Sequence, residues 1–254
     1  YKNKAYIMEH TEIRKQWEEF VEKYSNHFVK PHTQKDMSKP TIIEKDHNSE
    51  SKEGRQIRQK SKLSELHQKY KTMNSENLHK HFEDHPQDWK TYHSISQENE
   101  QSFPEEHIPR NRMIDYLKTL PGKKHKDIAD LGCGFAEIHE HFCDNQRFTF
   151  YNFDHVSSKE SVTKKDIRNT ELDPYSVDVA ILSLAMWGSN CVEYIQEAHR
   201  ILDTNGILLV SEPYKRWYDV DTQENRLVKL LEANGFTVKN NDEQKFIFIQ
   251  AVKV

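Results

Sequence analysis

Residues 127–134 read Asp-Ile-Ala-Asp-Leu-Gly-Cys-Gly: a short apolar run broken by Asp130, then two glycines, Gly132 and Gly134, with a helix-patterned stretch over 136–145 behind them. An apolar run of strand length that stops at paired glycines and resumes as a helix reads as the first βα unit of an open parallel sheet. The crevice beyond such strand ends is where these sheets bind ligands. Glycine lets the backbone approach a ligand closely, and a helix start presents unpaired N–H groups. Only seven glycines occur in the 254 residues, and six of them lie between Gly122 and Gly235. Average usage is about 7%, so their placement carries information.

The same alternation continues outward. Strand-like runs at 148–153, 177–184 and 207–211 are separated by a helix-like run at 192–202, and a further helix at 113–120 precedes the first strand. Repeated βα units imply a parallel sheet covered on both faces. After a helix over about 222–234, two β-rich runs, 236–239 and 246–254, flank the polar turn 240–244 and are expected to form an antiparallel hairpin. The expected fold is therefore α/β: a doubly wound, mostly parallel sheet with a C-terminal antiparallel hairpin.

This ligand-binding domain is placed at 105–254, behind a small basic helical cap at 56–104. In the cap, periodicity runs over 56–71, Ser75 is read as the N-cap of a helix bearing Leu78 and Phe82, and Trp89, Tyr92 and Ile95 continue the apolar stripe. Residues 29–55 hold Pro31, Pro40 and little to bury, and read as a linker, disordered or nearly so. Within 1–28, Ile13, Trp17, Phe20, Val21 and Tyr24 recur at three- and four-residue steps, an amphipathic helix.

The net charge of −4 conceals an asymmetry: residues 1–80 carry 17 Lys/Arg against 12 Asp/Glu, and the remainder 20 against 29. A basic arm on an acidic body suits a polyanionic partner, with a solvated helix face as the plainer alternative. Three cysteines, Cys133, Cys143 and Cys191, have no CxxC spacing, which argues against a disulfide framework and a four-cysteine zinc site. His79 with His81, and His139 with His141, are two residues apart, pointing about 200° away from each other on a helix. No metal is expected. No run approaches the ~18 apolar residues of a membrane span and no signal peptide is evident, so a soluble, intracellular protein without a membrane partner is expected. Tyr1 in place of a starting Met suggests a segment of a longer chain.

Asp154 ends the second strand, 20 residues past Gly134, where a carboxylate can accept both ribose hydroxyls of an adenosine. In an NAD fingerprint the third small residue would fall at 137, and Glu137 would crowd and repel a pyrophosphate. A nucleotide without phosphates is favoured. S-adenosyl-L-methionine fits: Asp130 before the loop and Asp166 on the next loop suit a cationic methionine moiety and an adenine amine. The alternative is an ordinary strand–turn–helix with incidental acids.

The segments SENLHKHFEDHPQDWKTYH (75–93), DIADLGCG (127–134), FDH (153–155), KDI (165–167), VDVAILSLAMWGSN (177–190) and FIFIQ (246–250) together resemble the ribosomal RNA-processing methyltransferases of the nucleomethylin type, over roughly residues 56–254. The resemblance implies a Rossmann-like class I methyltransferase fold, S-adenosyl-L-methionine as cofactor with S-adenosyl-L-homocysteine as product, and methylation of N1 of an adenine in large-subunit ribosomal RNA. It also implies a place in ribosome biogenesis in the nucleus, at the nucleolus. Carried over residue by residue, it implies cofactor contacts at His93, Gly132, Asp154, Asp166, Ile167 and Ser183. Ile167 stands where the family usually has Met and Ser183 where it has Cys, both read as packing or backbone contacts. Trp187 replaces a smaller apolar residue just beyond the fourth strand, where the target base should lie.

Adenine N1 carries an in-plane lone pair, so no proton need leave before methyl transfer; no catalytic base is assigned. Methylation of an exocyclic amine goes with an Asn/Asp-Pro-Pro-aromatic motif, in whose place residues 184–188 read Leu-Ala-Met-Trp-Gly. Carbon-5 methylation of pyrimidines uses a cysteine usually beside proline, and none of the three has that neighbour. Trp187 is a candidate to stack on the base, against the alternative of a packing Trp. Lys215 and Arg216, in the basic and aromatic stretch after the fifth strand, are candidates to touch RNA. Two other readings remain: a non-catalytic nucleolar or chromatin adapter that binds the cofactor and recruits protein partners through residues 1–55, and a methyltransferase of a protein or small molecule.

Overall fold

The computed structural model describes residues 52–254; the helix expected over 10–28 and most of the linker lie outside the described residues. Three helices come first: α1 (Lys52–Tyr70), α2 (Ser75–Asp84) and α3 (Pro86–Glu100). α1 starts four residues ahead of the expected boundary at 56. The N-cap of α2 is Asn74 and not Ser75: the Asn74 side chain accepts from Asn77 N–H at 2.8 Å, which leaves the Ser75 hydroxyl for another partner. α3 opens on Pro86, whose missing N–H costs nothing in a first turn.

A 3₁₀ turn (Glu105–His107) and α4 (Pro109–Thr119) lead into β1 (Lys126–Leu131), α5 (Glu137–His141), β2 (Phe148–Asp154), β3 (Val162–Lys164), β4 (Val177–Ser183), α6 (Val192–Ile201) and β5 (Leu202–Pro213). The chain continues through α7 (Tyr214–Trp217), the short ribbon β6 (Tyr218–Asp219) and β7 (Glu224–Asn225), α8 (Arg226–Ala233), β8 (Phe236–Glu243) and β9 (Phe246–Lys253).

Among the described residues, seven strands form one sheet in the order β3-β2-β1-β4-β5-β9-β8. β1 pairs in parallel with β2 on one side and β4 on the other, so the winding reverses at β1 and opens a crevice beyond its carboxyl end. In this register Asp130 lies opposite Asn152 and Ile181, and Leu131 opposite Phe153. β9 is antiparallel to both β5 and β8, giving the expected hairpin with a tighter turn, at Gln244 and Lys245. It is the second hairpin strand that joins the parallel part. This is the Rossmann-like methyltransferase architecture. The core packs Met113, Ile114 and Leu117 of α4 on Ile128, Val179, Ile181 and Leu209 of the central strands.

Several elements depart from the sequence reading. β3 has three residues, with only Val162 buried, too short to register as a strand run. α5 is half the expected length: Ala136 takes a left-handed φ of 53° and the chain turns again at Phe142. The helix expected from 222 begins at Arg226, where the Asn225 side chain accepts from Leu227 and Val228 N–H; the preceding residues form the β6–β7 ribbon.

The cap has its own cluster of Tyr70, Leu78, Phe82 and Trp89, against which Phe135, Val156 and Trp187 of the sheet's ligand side pack. The three helices thus sit over the carboxyl ends of the strands, where the glycine loop lies.

Candidate cofactor site

The loop after β1 runs in left-handed backbone, with φ of +83° at Gly132 and +58° at Gly134. A Cβ at Gly132 would stand 2.7 Å from that of Ala185, and one at Gly134 would stand 3.1 Å from the His93 ring, so both glycines are required on conformational and steric grounds. Gly132 and Cys133 N–H donate to Phe153 O, tying the loop to β2. Gly134 N–H donates to Asp154 Oδ2 at 2.8 Å.

Asp154 is more heavily engaged than its position in the sequence suggests. Its Oδ1 accepts from the Trp89 indole N–H and from its neighbour His155 N–H, both at 2.7 Å. A carboxylate offers about four lone-pair sites; three are taken, which leaves one, on Oδ2, for a ribose hydroxyl in place of the two acceptors expected. Asp166 is also engaged: its carboxylate accepts from the Ser75 hydroxyl and from Arg168 N–H and Nε–H.

Asp130 stands apart. It is 2% exposed, and among the described residues no hydrogen-bond donor is found on its carboxylate. Burial, with the nearby Asp154 charge, pushes its pKa up to about 7. It lines a cavity of about 90 Å³ together with Glu100, Arg110, Gly134 and Ser183. Arg110 pairs there with Glu100 at 3.1 Å and with Glu137. A second, apolar cavity of about 60 Å³ is walled by Trp89, Asp154, His155, Ile167, Ala185 and Trp187. Tyr92, His93, Gly132 and Leu184 border both, so the two form one bent cleft under the cap. Burial holds His93 below the usual histidine range, so it is neutral at pH 7.

Of the sequence candidates, Asp130, Gly132, Gly134, His93 and Ser183 meet at the first cavity, and Asp154, Ile167 and Trp187 at the second. Asp166 lines neither and stands at the foot of the cap. Trp187, the candidate base platform, has the His67 ring tilted against it at 4.4 Å, the Arg216 guanidinium 5.2 Å from its centroid, and its indole N–H donating to Leu184 O at 2.6 Å. Burial, Arg216 and Lys71 lower the His67 pKa to about 4, which keeps that ring neutral. Lys215 is exposed and lines neither cavity.

Residues without a role in the sequence reading also shape the cleft. Trp89 and His93 are four apart on α3 and their rings pack at a tilt 4.1 Å apart, a spacing visible in the sequence. Glu212, fully buried at the end of β5, accepts from Met186 N–H at 2.9 Å and Trp217 Nε1–H at 3.2 Å. It fixes the loop in which Leu184 takes a left-handed φ of 55°. Its signal was a carboxylate closing the apolar run 207–211. Burial raises the Glu212 pKa, opposed by Arg216, whose Nη1 lies 3.7 Å away.

Among the described residues no group of three or more His, Cys, Asp or Glu side chains is arranged to hold a metal, and no helix is long and apolar enough to cross a membrane. His79 and His155 contact each other through Nδ1 at 3.0 Å.

The residues of the cleft fit S-adenosyl-L-methionine. An unpartnered buried carboxylate, Asp130, is matched to the cationic methionine end. Gly132 and Gly134 form a cradle that a Cβ would fill. The apolar cavity beside Ile167 and Ala185 has the character an adenine ring needs.

The family described as "Hypothetical methyltransferase" matches across residues 52–254, and the chain belongs to it. The "Ribosomal RNA-processing protein 8" of Arabidopsis thaliana is 35% identical over 186 residues, 72% of this chain and 62% of that protein. The Dictyostelium discoideum protein of the same name is 31% identical, over 74% of this chain and 46% of its own length. A Schizosaccharomyces pombe protein named "25S rRNA (adenine(645)-N(1))-methyltransferase" is 29% identical, over 88% of this chain and 74% of its length. The chain thus spans 62% and 46% of the first two relatives.

Proposed function

We propose that this member of the family transfers a methyl group from S-adenosyl-L-methionine to N1 of an adenine in large-subunit ribosomal RNA, within ribosome biogenesis in the nucleus and nucleolus. Residues 105–254 serve as the methyltransferase domain and 52–104 as its basic cap. The observation that carries the reading is the unpartnered, buried Asp130 carboxylate facing a glycine-cradled cleft. The name of the fission yeast relative supports the choice of atom and substrate.

The bound cofactor supplies a methyl group already activated as a sulfonium, so the protein's task is alignment and exclusion of water. Asp130 would hold the methionine ammonium, with Gly132 and Ser183 as the adjoining wall. Asp154 would accept one ribose hydroxyl on Oδ2, and Ile167 would pack on the adenine. Neutral His93 closes over Gly134 without adding a second positive charge beside a cation. On the substrate side, Arg216 and the exposed Lys215 are suited to phosphates, and the loop fixed by Glu212 carries Trp187 to the rim of the cleft. A target adenine in a duplex must be extruded before its N1 is reachable.

The test is methyl transfer from radiolabelled S-adenosyl-L-methionine to large-subunit rRNA lacking the modification, followed by nucleoside analysis, with Asp154→Ala as control. The expected result is labelled 1-methyladenosine that disappears in the variant. Cofactor binding with no labelled nucleoside would overturn the reading and favour an adapter or a different methyl acceptor.

A further inference from the structure

The two acids that close β2 and follow β3 are each reached by a side chain of the cap. Trp89 donates to Asp154 Oδ1, and Ser75 donates to Asp166 Oδ1. Trp89 is 1% exposed and Asp154 5%, so water screens that bond little, while Ser75 is buried and Asp166 half-buried. A buried carboxylate that loses a donor keeps its desolvation cost and turns to recover one.

Both donors are fixed by their surroundings. The Trp89 ring packs at a tilt on His93 at 4.1 Å and is met edge-on by Phe135 at 5.1 Å, which sets the direction of its N–H. Ser75 N–H donates to Asn190 Oδ1 at 2.8 Å, which pins the start of α2 to the segment after β4. Drawing Trp89 off Asp154 to free a second ribose acceptor would uncover roughly 200 Å² of aromatic surface. It is therefore a support for Asp154 and not a competitor of the ribose.

We propose that Trp89 and Ser75 of the cap are positioning residues that aim the Asp154 and Asp166 carboxylates, so that cap docking and cofactor binding form one linked equilibrium. This rests on reading the cleft as the S-adenosyl-L-methionine site. Linkage is reciprocal: whatever steadies the cap tightens the cofactor, and the cofactor steadies the cap by the same factor.

The experiment is calorimetric titration with S-adenosyl-L-homocysteine of the protein and of Trp89→Phe, Ser75→Ala and Ser75→Thr, with hydrogen exchange of residues 75–100 followed with and without ligand. Trp89→Phe keeps the ring and removes the donor; affinity is expected to fall about tenfold. Ser75→Ala is expected to lose several-fold, and Ser75→Thr, which keeps the hydroxyl, to restore it. The ligand should slow exchange over 75–100 in the wild type, and less so in Trp89→Phe and Ser75→Ala. Wild-type or tighter affinity in Trp89→Phe, or cap exchange that ignores the ligand in the wild type, would overturn the inference. If Trp89→Phe does not fold, the Ser75 pair decides: equal affinity in Ser75→Ala and wild type counts against it. A wild-type protein that does not bind S-adenosyl-L-homocysteine at all would sink the site reading itself, a separate outcome.

Discussion

The sheet around β1 and β4 buries Ile128, Leu131, Val179, Ile181 and Leu182, aliphatic groups that resist exposure but carry no direction, whereas the cap buries Tyr70, Phe82 and Trp89 amid the rings of His67, His81 and Tyr92. Aromatic residues with polar tips pack as apolar bodies and still need a partner for the tip. In the cap the Tyr92 hydroxyl meets His67 and the Trp89 N–H an acid on the body, while the buried Tyr70 hydroxyl has no hydrogen-bond partner among the described residues. The body therefore sets where the carboxylates stand, and the cap sets where they point.

The largest way to break that division is on the body side. Gly132→Ala puts a Cβ into left-handed backbone and against Ala185, a combined cost of about 2–4 kcal/mol. Denaturant unfolding should show that loss, and calorimetry the loss of S-adenosyl-L-homocysteine binding. Adding Ala185→Gly should relieve the steric clash and leave the backbone strain, so that only part of the stability returns.

Asp130→Asn comes next. Because the folded protein holds this carboxyl at a pKa of about 7, well above its unfolded value, the folded state binds the extra proton. Stability should then fall as pH rises from about 4 through 7 and stay reduced above. The Asn variant should melt higher than wild type at about pH 8 and match it near pH 4, while wild-type affinity for S-adenosyl-L-homocysteine rises through neutrality and the variant's weaker affinity stays flat. Melting and titration series across that range check both halves. A variant that is less stable at about pH 8 would show that Asp130 is paired within the protein.

The smallest expected effect concerns the charge of the cap. Lys62 and Lys80 are exposed, and replacing both by Glu should weaken RNA binding several-fold and reduce the slope of log affinity against log salt by roughly 0.7–0.9 for each phosphate no longer neutralised. Lys123→Glu, on the exposed turn before β1 at the opposite end of the strands, should leave both unchanged. Filter binding over a salt series separates the two regions.

The sheet was legible in the sequence because its strands announce themselves locally: DIADLGCG carries the strand, the left-handed turn and the helix start within a few residues, and 236–254 shows two β-rich runs around a polar turn. The part of the site borne on that frame, Asp130 with Gly132 and Gly134, was legible for the same reason, while Ser183 entered only through the family resemblance. What was not legible depends on segments far apart in sequence. Trp89 and Asp154 are 65 residues apart, and Ser75 and Asp166 are 91 apart, so nothing local reveals that the acids are already bonded. The sequence leaves Trp187 between a base platform and a packing ring, and nothing near it in the chain shows that His67 of α1 lies against it. The N-cap moved from Ser75 to Asn74 because both side chains can cap, and the hydroxyl has an acid waiting across the cleft.

The strand order also imposes a timetable on synthesis. β9 lies between β5 and β8 although it is made after both, so β5 leaves the ribosome with one edge unpaired and waits for residues 246–253. At about 5–20 residues per second the delay is a few seconds, during which an apolar edge strand stands open to wrong partners. β1, β2 and β4 can pair before that moment. Glu212 stands opposite Ile247 in the β5–β9 ladder, so the end of β5 that carries it is covered on this edge only when β9 arrives.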